Sequence, residues 1–392
     1  MDLFDKCYQF TEAKAAIAAG IYPYFLPLTG NEGTEAIFGN KRLIMCGSNN
    51  YLGLTVDPRV RQAAIEAIEK FGTSCTGSRF LNGNLEFHEQ LERELAEFVG
   101  KEAALVFSTG MQVNLGTISA LVGRGDYVIL DKEDHASIVD GALLSLGEVK
   151  RFAHNDLDDL ERLLKRLPAD KGKLVVVDGV FSMGGDLAPL DELVPLCKKY
   201  GARLMVDDAH GIGVTGGGRG TAWQFGVTEG VDLIMSTFSK SFASLGGFVA
   251  GDEPVIHYIK HHARSLLFSA SIPPSNAAAA LAALKIMREE PERVKRLNEI
   301  GDYMRAGFKR LGFNIGNSVT SIIPIIIGDR MRTVMVWHAL FQAGVFVNPV
   351  LTPAVPPGMD LLRTSYMATH TDEQLDRVLA VFEQVGKQMG LI

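Results

Sequence analysis

The sequence predicts an α/β protein: a large, mainly parallel sheet domain followed by a smaller C-terminal α/β domain. Three observations carry this. Short apolar runs alternate with helical stretches: AALVF (103–107), YVILD (127–131), KLVVVDG (173–179), RLMVDD (203–208) and LIMSTF (233–238). A strand covered on both faces reads as such a continuous run, and the alternation is that of a parallel sheet. The pattern also changes after residue 280, where helices dominate, and 392 residues exceed one domain of about 100–150. The division expected is an N-terminal arm (1–45), a large domain (46–280) and a small domain (281–392).

Taken in order, residues 10–19 read as a helix. IYPYFLPL (21–28) is apolar, aromatic and twice interrupted by proline, as an arm packed on another surface would be. Residues 57–71 and 85–99 have helical periodicity. LDELVPLCKKYG (190–201) is an amphipathic helix ending at glycine. Residues 275–312 form a long helical stretch broken near Pro291. A strand (322–327), a helix (332–343), short strands near 345–350 and 361–367, and a last helix (372–389) complete the chain.

Composition narrows the function. The net charge of −7 gives no bulk attraction to nucleic acid or anionic lipid. Cys7, Cys46, Cys75 and Cys197 are scattered without a CxxC pair, which is neither a disulfide framework nor a zinc ribbon. No metal site is expected, and a reducing, cytoplasmic compartment fits best. The N-terminus shows no signal peptide. The longest apolar stretches, such as SIIPIIIG (321–328), are far short of the ~20 residues of a membrane span. Glycine is abundant, 41 residues, and concentrated in 47–251, a sign of tight turns and close backbone approaches.

In a parallel sheet the site lies beyond the carboxyl ends of the strands. After AALVF, Ser108-Thr109-Gly110 leads into a helix from Met111, which is either an anion-binding helix start or a plain N-cap. After YVILD comes a segment with His135, and after KLVVVDG a loop. After RLMV, Asp207-Asp208-Ala209-His210 puts two acids at a buried strand end, where a carboxylate pairs with a cation or caps a helix. After LIMSTF, Lys240 is placed for desolvation, which lowers a lysine pKa and suits Schiff-base chemistry, while Thr237 and Ser239 offer hydroxyls to a phosphate. Gly211 to Gly216 match G-x-G-x-x-G, but neither follow the strand directly nor open a helix, so a dinucleotide site is not predicted. Pyridoxal 5'-phosphate needs the whole inventory: a phosphate cup, a stacking ring, a carboxylate for the pyridinium nitrogen, a donor for the phenolic oxygen and a Schiff-base lysine.

The chain resembles the α-oxoamine synthase family of pyridoxal-phosphate enzymes, within the aspartate-aminotransferase-like fold (fold type I). The resemblance runs from Ile21 to the last helix. It is carried by Ser48-Asn49-Asn50-Tyr51-Leu52-Gly53, Asp134-His135-Ala136-Ser137, Val206-Asp207-Asp208-Ala209-His210, Thr237-Phe238-Ser239-Lys240 and Leu362-Arg363. It implies that Lys240 is the Schiff-base lysine and proton-transfer base, Asp207 the pyridinium partner, His210 the partner of the phenolic oxygen and His135 the stacked imidazole, which also helps place the substrate carboxylate. It further implies phosphate contacts from Gly110, Met111, Thr237 and Ser239, with Ser269 reaching across from a second subunit of a homodimer. Asn50 would lie near the substrate, and Arg363 would bind its carboxylate.

Such enzymes condense an amino acid with an acyl-CoA and release carbon dioxide. Ser239 just before the lysine, Gly77-Ser78-Arg79-Phe80-Leu81-Asn82-Gly83 and Tyr22-Pro23-Tyr24-Phe25 resemble the serine palmitoyltransferase branch. That branch implies L-serine, palmitoyl-CoA and sphingolipid synthesis. The sister activities are 8-amino-7-oxononanoate synthase and glycine C-acetyltransferase. Arg79, Lys260, His261, His262 and Arg264 are candidates for the CoA phosphates.

Overall fold

The structure, a computed structural model, describes residues 2–392. Seven strands form the large sheet: β1 (Ala103–Phe107), β2 (Tyr127–Asp131), β3 (Glu148–Phe152), β4 (Lys173–Asp178), β5 (Arg203–Asp207), β6 (Leu233–Thr237) and β7 (Gly247–Gly251). Their spatial order is β1-β7-β6-β5-β4-β2-β3. Only β7 runs against its neighbours, β1 and β6. The mainly parallel α/β sheet is therefore as predicted.

Two strands of this sheet were not foreseen. β3, EVKRF, is a charged edge strand without a continuous apolar run. β7, GFVAG, is bounded by glycines, which reads as a turn. Its glycines are there for contact: a Cβ on Gly247 would lie 2.7 Å from the Ser236 carbonyl.

Side chains alternate between two cores. Val106, Ile129, Val175, Val177, Val206 and Phe248 face one side, under helices that include Glu86–Val99 and Pro274–Glu289. Leu105, Val128, Val176, Met205, Met235 and Val249 face the other, under Gly110–Leu121 and Glu253–His262. Both faces are buried, so the central strands had to be apolar throughout.

The long helical stretch divides into Pro274–Glu289 and Pro291–Leu311. Pro291 opens the second helix, where its missing N–H costs nothing. The C-terminal part holds an antiparallel sheet, Ile322–Ile326, Leu361–Ser365 and Asn348–Val350. Strand Lys41–Met45, at the end of the arm, pairs in parallel with Val345–Phe346. The aromatic segment of the arm lies along helix Arg330–Gln342: Tyr22 and Tyr24 share a cleft with Arg330, Met331 and Val334. No helix among the described residues is long and apolar enough to cross a membrane.

Candidate active site

A cavity of about 250 Å³ opens at the carboxyl ends of the central strands. Gly110, Met111, His135, Asp207, His210, Thr237, Ser239 and Lys240 all line it, with Thr109, Ser137 and Asp178. Residues separated by 130 positions in sequence converge because consecutive parallel strands end on the same side.

One wall is built for an anion. Thr109 caps helix Gly110–Leu121, its Oγ1 accepting from Gln112 N at 3.1 Å. The first-turn N–H groups of Gly110 and Met111 have no intrahelical acceptor, and the helix dipole adds positive charge there. A Cβ on Gly110 would lie 2.7 Å from the Thr237 side chain, so only glycine lets the helix start approach the end of β6 this closely. Thr237 Oγ1 and Ser239 Oγ lie 2.9 Å apart on the facing side.

The two acids after β5 divide the readings that the sequence left open. Asp207 lines the cavity, its Oδ2 accepting from Asn114 Nδ2 at 2.8 Å and its Oδ1 from Ala209 N at 3.1 Å. Asp208 turns away and accepts from Thr221 N at 2.7 Å and Thr221 Oγ1 at 2.8 Å. Burial pushes the Asp208 carboxyl up to about 7. A Cβ on Gly211 or Gly220 would come within 1.8 or 2.0 Å of that carboxylate. The glycine-rich stretch thus encloses a capping acid and is no dinucleotide site.

Lys240 is partly exposed, toward the cavity. Burial pulls its ammonium down to about 8, against the opposing pull of Asp207 and Asp178. Asp178 ends β4 in register with Asp207, and burial beside that second acid raises its pKa.

The hydrogen bonds settle the His135 tautomer. His135 Nδ1 accepts from Ser137 N at 3.2 Å and lies 2.7 Å from Ser137 Oγ. Ser137 Oγ itself accepts from Asn114 Nδ2 at 2.9 Å, so its own proton points to His135. The neutral ring, favoured because burial lowers its pKa, carries its proton on Nε2. At His210, Tyr51 OH lies 2.6 Å from Nδ1 and accepts from Arg363 Nη2 at 3.3 Å. Tyr51 OH also reaches Asn49 Oδ1 at 3.2 Å, so its one proton has two acceptors within reach. Burial, Lys240 and Arg363 hold the His210 pKa well below its usual value.

Three predicted residues lie outside the cavity lining. Arg363 is buried, donates through Nε to the Ser182 carbonyl at 2.6 Å and reaches the site through Tyr51. Asn50 is buried, with Nδ2 on Thr55 Oγ1 at 2.8 Å and on Met367 Sδ at 3.5 Å, and closes its own turn. Ser269 accepts from Gln112 Nε2 of its own chain at 2.8 Å.

Arg79 is a correction. It is buried and paired with Glu92 at 2.8 Å, and it donates to Asn84 at 2.6 Å and to the Val106 carbonyl at 3.3 Å, so it is not free for a CoA phosphate. The Lys260, His261, His262 and Arg264 side chains remain exposed. Tyr51 and Ser137 stood within the quoted motifs without a role, and Asn114 and Asp178 were not singled out in the sequence. Asp178, a second acid ending an apolar run, left a readable signal, and Asn114 left none.

The sequence model of the family "Aminotransferase class I and II" matches residues 41–382. A serine palmitoyltransferase of Sphingobacterium spiritivorum is 50% identical over 387 residues, 98% of this chain and 97% of the relative. The chain belongs to this aminotransferase family, in its α-oxoamine synthase group.

An 8-amino-7-oxononanoate synthase of Symbiobacterium thermophilum is 44% identical over 376 residues, 95% of this chain and 96% of the relative. A solved serine palmitoyltransferase of Sphingomonas wittichii superposes with a TM-score of 0.97 at 41% identity, covering 100% of both chains. This α-oxoamine synthase thus has the pyridoxal-phosphate fold type I. Its residues fit that cofactor: a glycine-lined anion wall, a fixed carboxylate, a lysine of lowered pKa and an Nε2–H donor share one cavity.

Proposed function

We propose that the protein is a pyridoxal-phosphate-dependent acyltransferase that joins L-serine to a long-chain acyl-CoA such as palmitoyl-CoA, releasing carbon dioxide and CoA. The observation that carries this reading is the meeting of Lys240, its ammonium lowered to about 8, with Asp207 and His135 in one cavity. The choice of branch rests on Ser239 before the lysine and on the similarity to serine palmitoyltransferases.

Gly110 and Met111 would hold the cofactor phosphate through backbone N–H, and Thr237 and Ser239 through hydroxyls. Ser269 of a second copy would complete that cup in a cytoplasmic homodimer. Asp207, fixed by Asn114 and Ala209, would hold the proton on the ring nitrogen. His210 would donate to the phenolic oxygen. His135 would stack and place the substrate carboxylate, with Asn50 nearby and Arg363 as its guanidinium partner. Once bound to Lys240, pyridoxal phosphate supplies the sink for electrons released at the amino-acid Cα. Lys240, released as the free amine, is neutral for an appreciable fraction of the time near pH 8 and would take the Cα proton. The product is a 3-keto long-chain amine, a sphingolipid precursor.

The similarity to 8-amino-7-oxononanoate synthases keeps alanine with pimeloyl-CoA as the second reading, beside the glycine C-acetyltransferase activity. A panel of serine, alanine and glycine against acyl-CoAs of different length, read as CoA release and product mass, decides. Serine with palmitoyl-CoA should give the fastest turnover. Turnover with alanine and pimeloyl-CoA but none with serine would overturn the proposal.

A further inference from the structure

We infer that His154, outside the cavity, is a positioning residue: it ties the loop that presents His135 to the loop that holds Arg363. The consequence for the substrate rests on the function proposed above, while the tie itself rests on geometry alone.

His154 follows β3. Its Nδ1 lies 3.0 Å from Asp131 Oδ1 and its Nε2 lies 2.9 Å from Asp186 Oδ2. Glu133 Oε2 stands 3.7 Å from Nε2. Two ring nitrogens that both donate to carboxylates belong to an imidazolium. Burial opposes that charge, but the hydrogen bonds to Asp131 and Asp186 outweigh it and push the pKa up to about 10. The ring stands edge-on to Phe181, with centroids 4.4 Å apart.

Each carboxylate organises a different loop. Asp131 ends β2, and its Oδ1 also accepts from Glu133 N at 2.8 Å. That turn leads to His135, whose N–H donates to Asp178 Oδ2 at 3.1 Å. Asp186 closes the other loop through Phe181 N on its carbonyl at 3.0 Å. In that loop the Ser182 carbonyl takes the Arg363 Nε, and the Gly185 carbonyl accepts from Thr320 Oγ1 at 3.0 Å. Asn155 doubles the bracket, with its N–H on Asp131 Oδ2 at 2.8 Å and its Nδ2 on Asp186 Oδ2 at 3.1 Å. Without the imidazolium, Asp131, Glu133 and Asp186 face one another with no cation between them. Like charges in a partly buried site repel, and the two loops would part. His135 and Arg363 would then lose their mutual spacing, although neither is altered.

The test compares His154→Gln, which keeps one donor and loses the charge, with His154→Arg, which keeps the charge. Hydrogen exchange in the cofactor-free protein reads the tie directly: His154→Gln should speed exchange at 131–135 and 181–186, and His154→Arg should restore most of the protection. In the holoenzyme, His154→Gln should raise the serine KM roughly 10-fold, as misplacement of a binding group does, with kcat within about 3-fold. Cofactor affinity should fall as well, because His135 would also stack on the cofactor. Wild-type exchange at both loops in His154→Gln would overturn the inference. So would an unchanged KM, or a failure of His154→Arg to restore protection at the two loops. If exchange behaves as expected but the wild-type enzyme responds to no amino acid, the tie stands and the proposed reaction falls.

Discussion

The large sheet has a cavity at each end, and the two are nearly equal in size, about 280 Å³ at the amino ends and about 250 Å³ at the carboxyl ends. Both are lined by charged residues. At the amino end Asp126, Lys173, Arg203 and Asp232 satisfy one another or the backbone, and Asp252 is exposed. Asp126 accepts from Gly123 N at 2.9 Å and Gly172 N at 3.2 Å, and Asp232 takes Arg203 at 2.6 Å and Leu204 N at 2.8 Å. At the carboxyl end, Lys240 sits beside Asp207 and Asp178 with its charge disfavoured by burial. Volume does not distinguish a site from a gap between helices. Groups held away from their preferred ionisation do.

The sharpest way to break this contrast is to remove one cation from each end. Lys240→Ala should cost roughly 10³-fold or more in turnover, the scale of a lost proton-transfer group, and remove the visible band of bound cofactor. Arg203→Ala breaks an ion pair whose arginine side chain is 77% exposed. It should leave turnover unchanged and cost at most about 1 kcal/mol of stability. Equal losses of activity in the two variants would erase the distinction.

The same contrast exists between neighbours. Asp207→Asn should lower turnover by roughly 10²-fold, because an amide cannot hold the ring proton, with little change in melting temperature. Asp208→Asn should do the reverse. It weakens the bonds to Thr221 N and Oγ1, costs about 1–3 kcal/mol of stability, and leaves turnover per folded molecule near wild type. A thermal melt and a rate assay on each variant check both halves. Loss of activity in both without loss of stability would mean that the second acid also touches the chemistry.

Sequence showed both acids, and only the family resemblance told them apart. Its strength lay at the strand ends, because strands buried on both faces cannot hide: their apolar runs mark where each one stops and which residue comes next. Lys240, His135, His210 and Asp207 were legible for that reason. What escaped depends on contacts between distant segments. Asn114 looks like one polar residue in a helix until it bridges Asp207 and Ser137. Tyr51 becomes part of the site only when the C-terminal sheet delivers Arg363 to its hydroxyl. Arg79 looked like an exposed cation because Glu92, its buried partner, lies on a helix 13 residues away.

The electrostatics of the cavity can be tested without any substrate. The ordinary lysine value is 10.5, and burial lowers Lys240 to about 8. A base with a depressed folded pKa makes the folded state bind fewer protons than the unfolded state between those two values. The cost of burying the charge is fully present below about pH 8 and fades as pH rises toward 10.5. The cofactor-free wild type should therefore gain stability relative to Lys240→Met across that window and run parallel to it below pH 8. Chemical denaturation of both proteins at a series of pH values measures the difference directly. A constant difference from pH 7 to 10.5 would mean that Lys240 titrates normally and that the carboxyl-end cavity is electrostatically as ordinary as the one at the opposite end of the sheet.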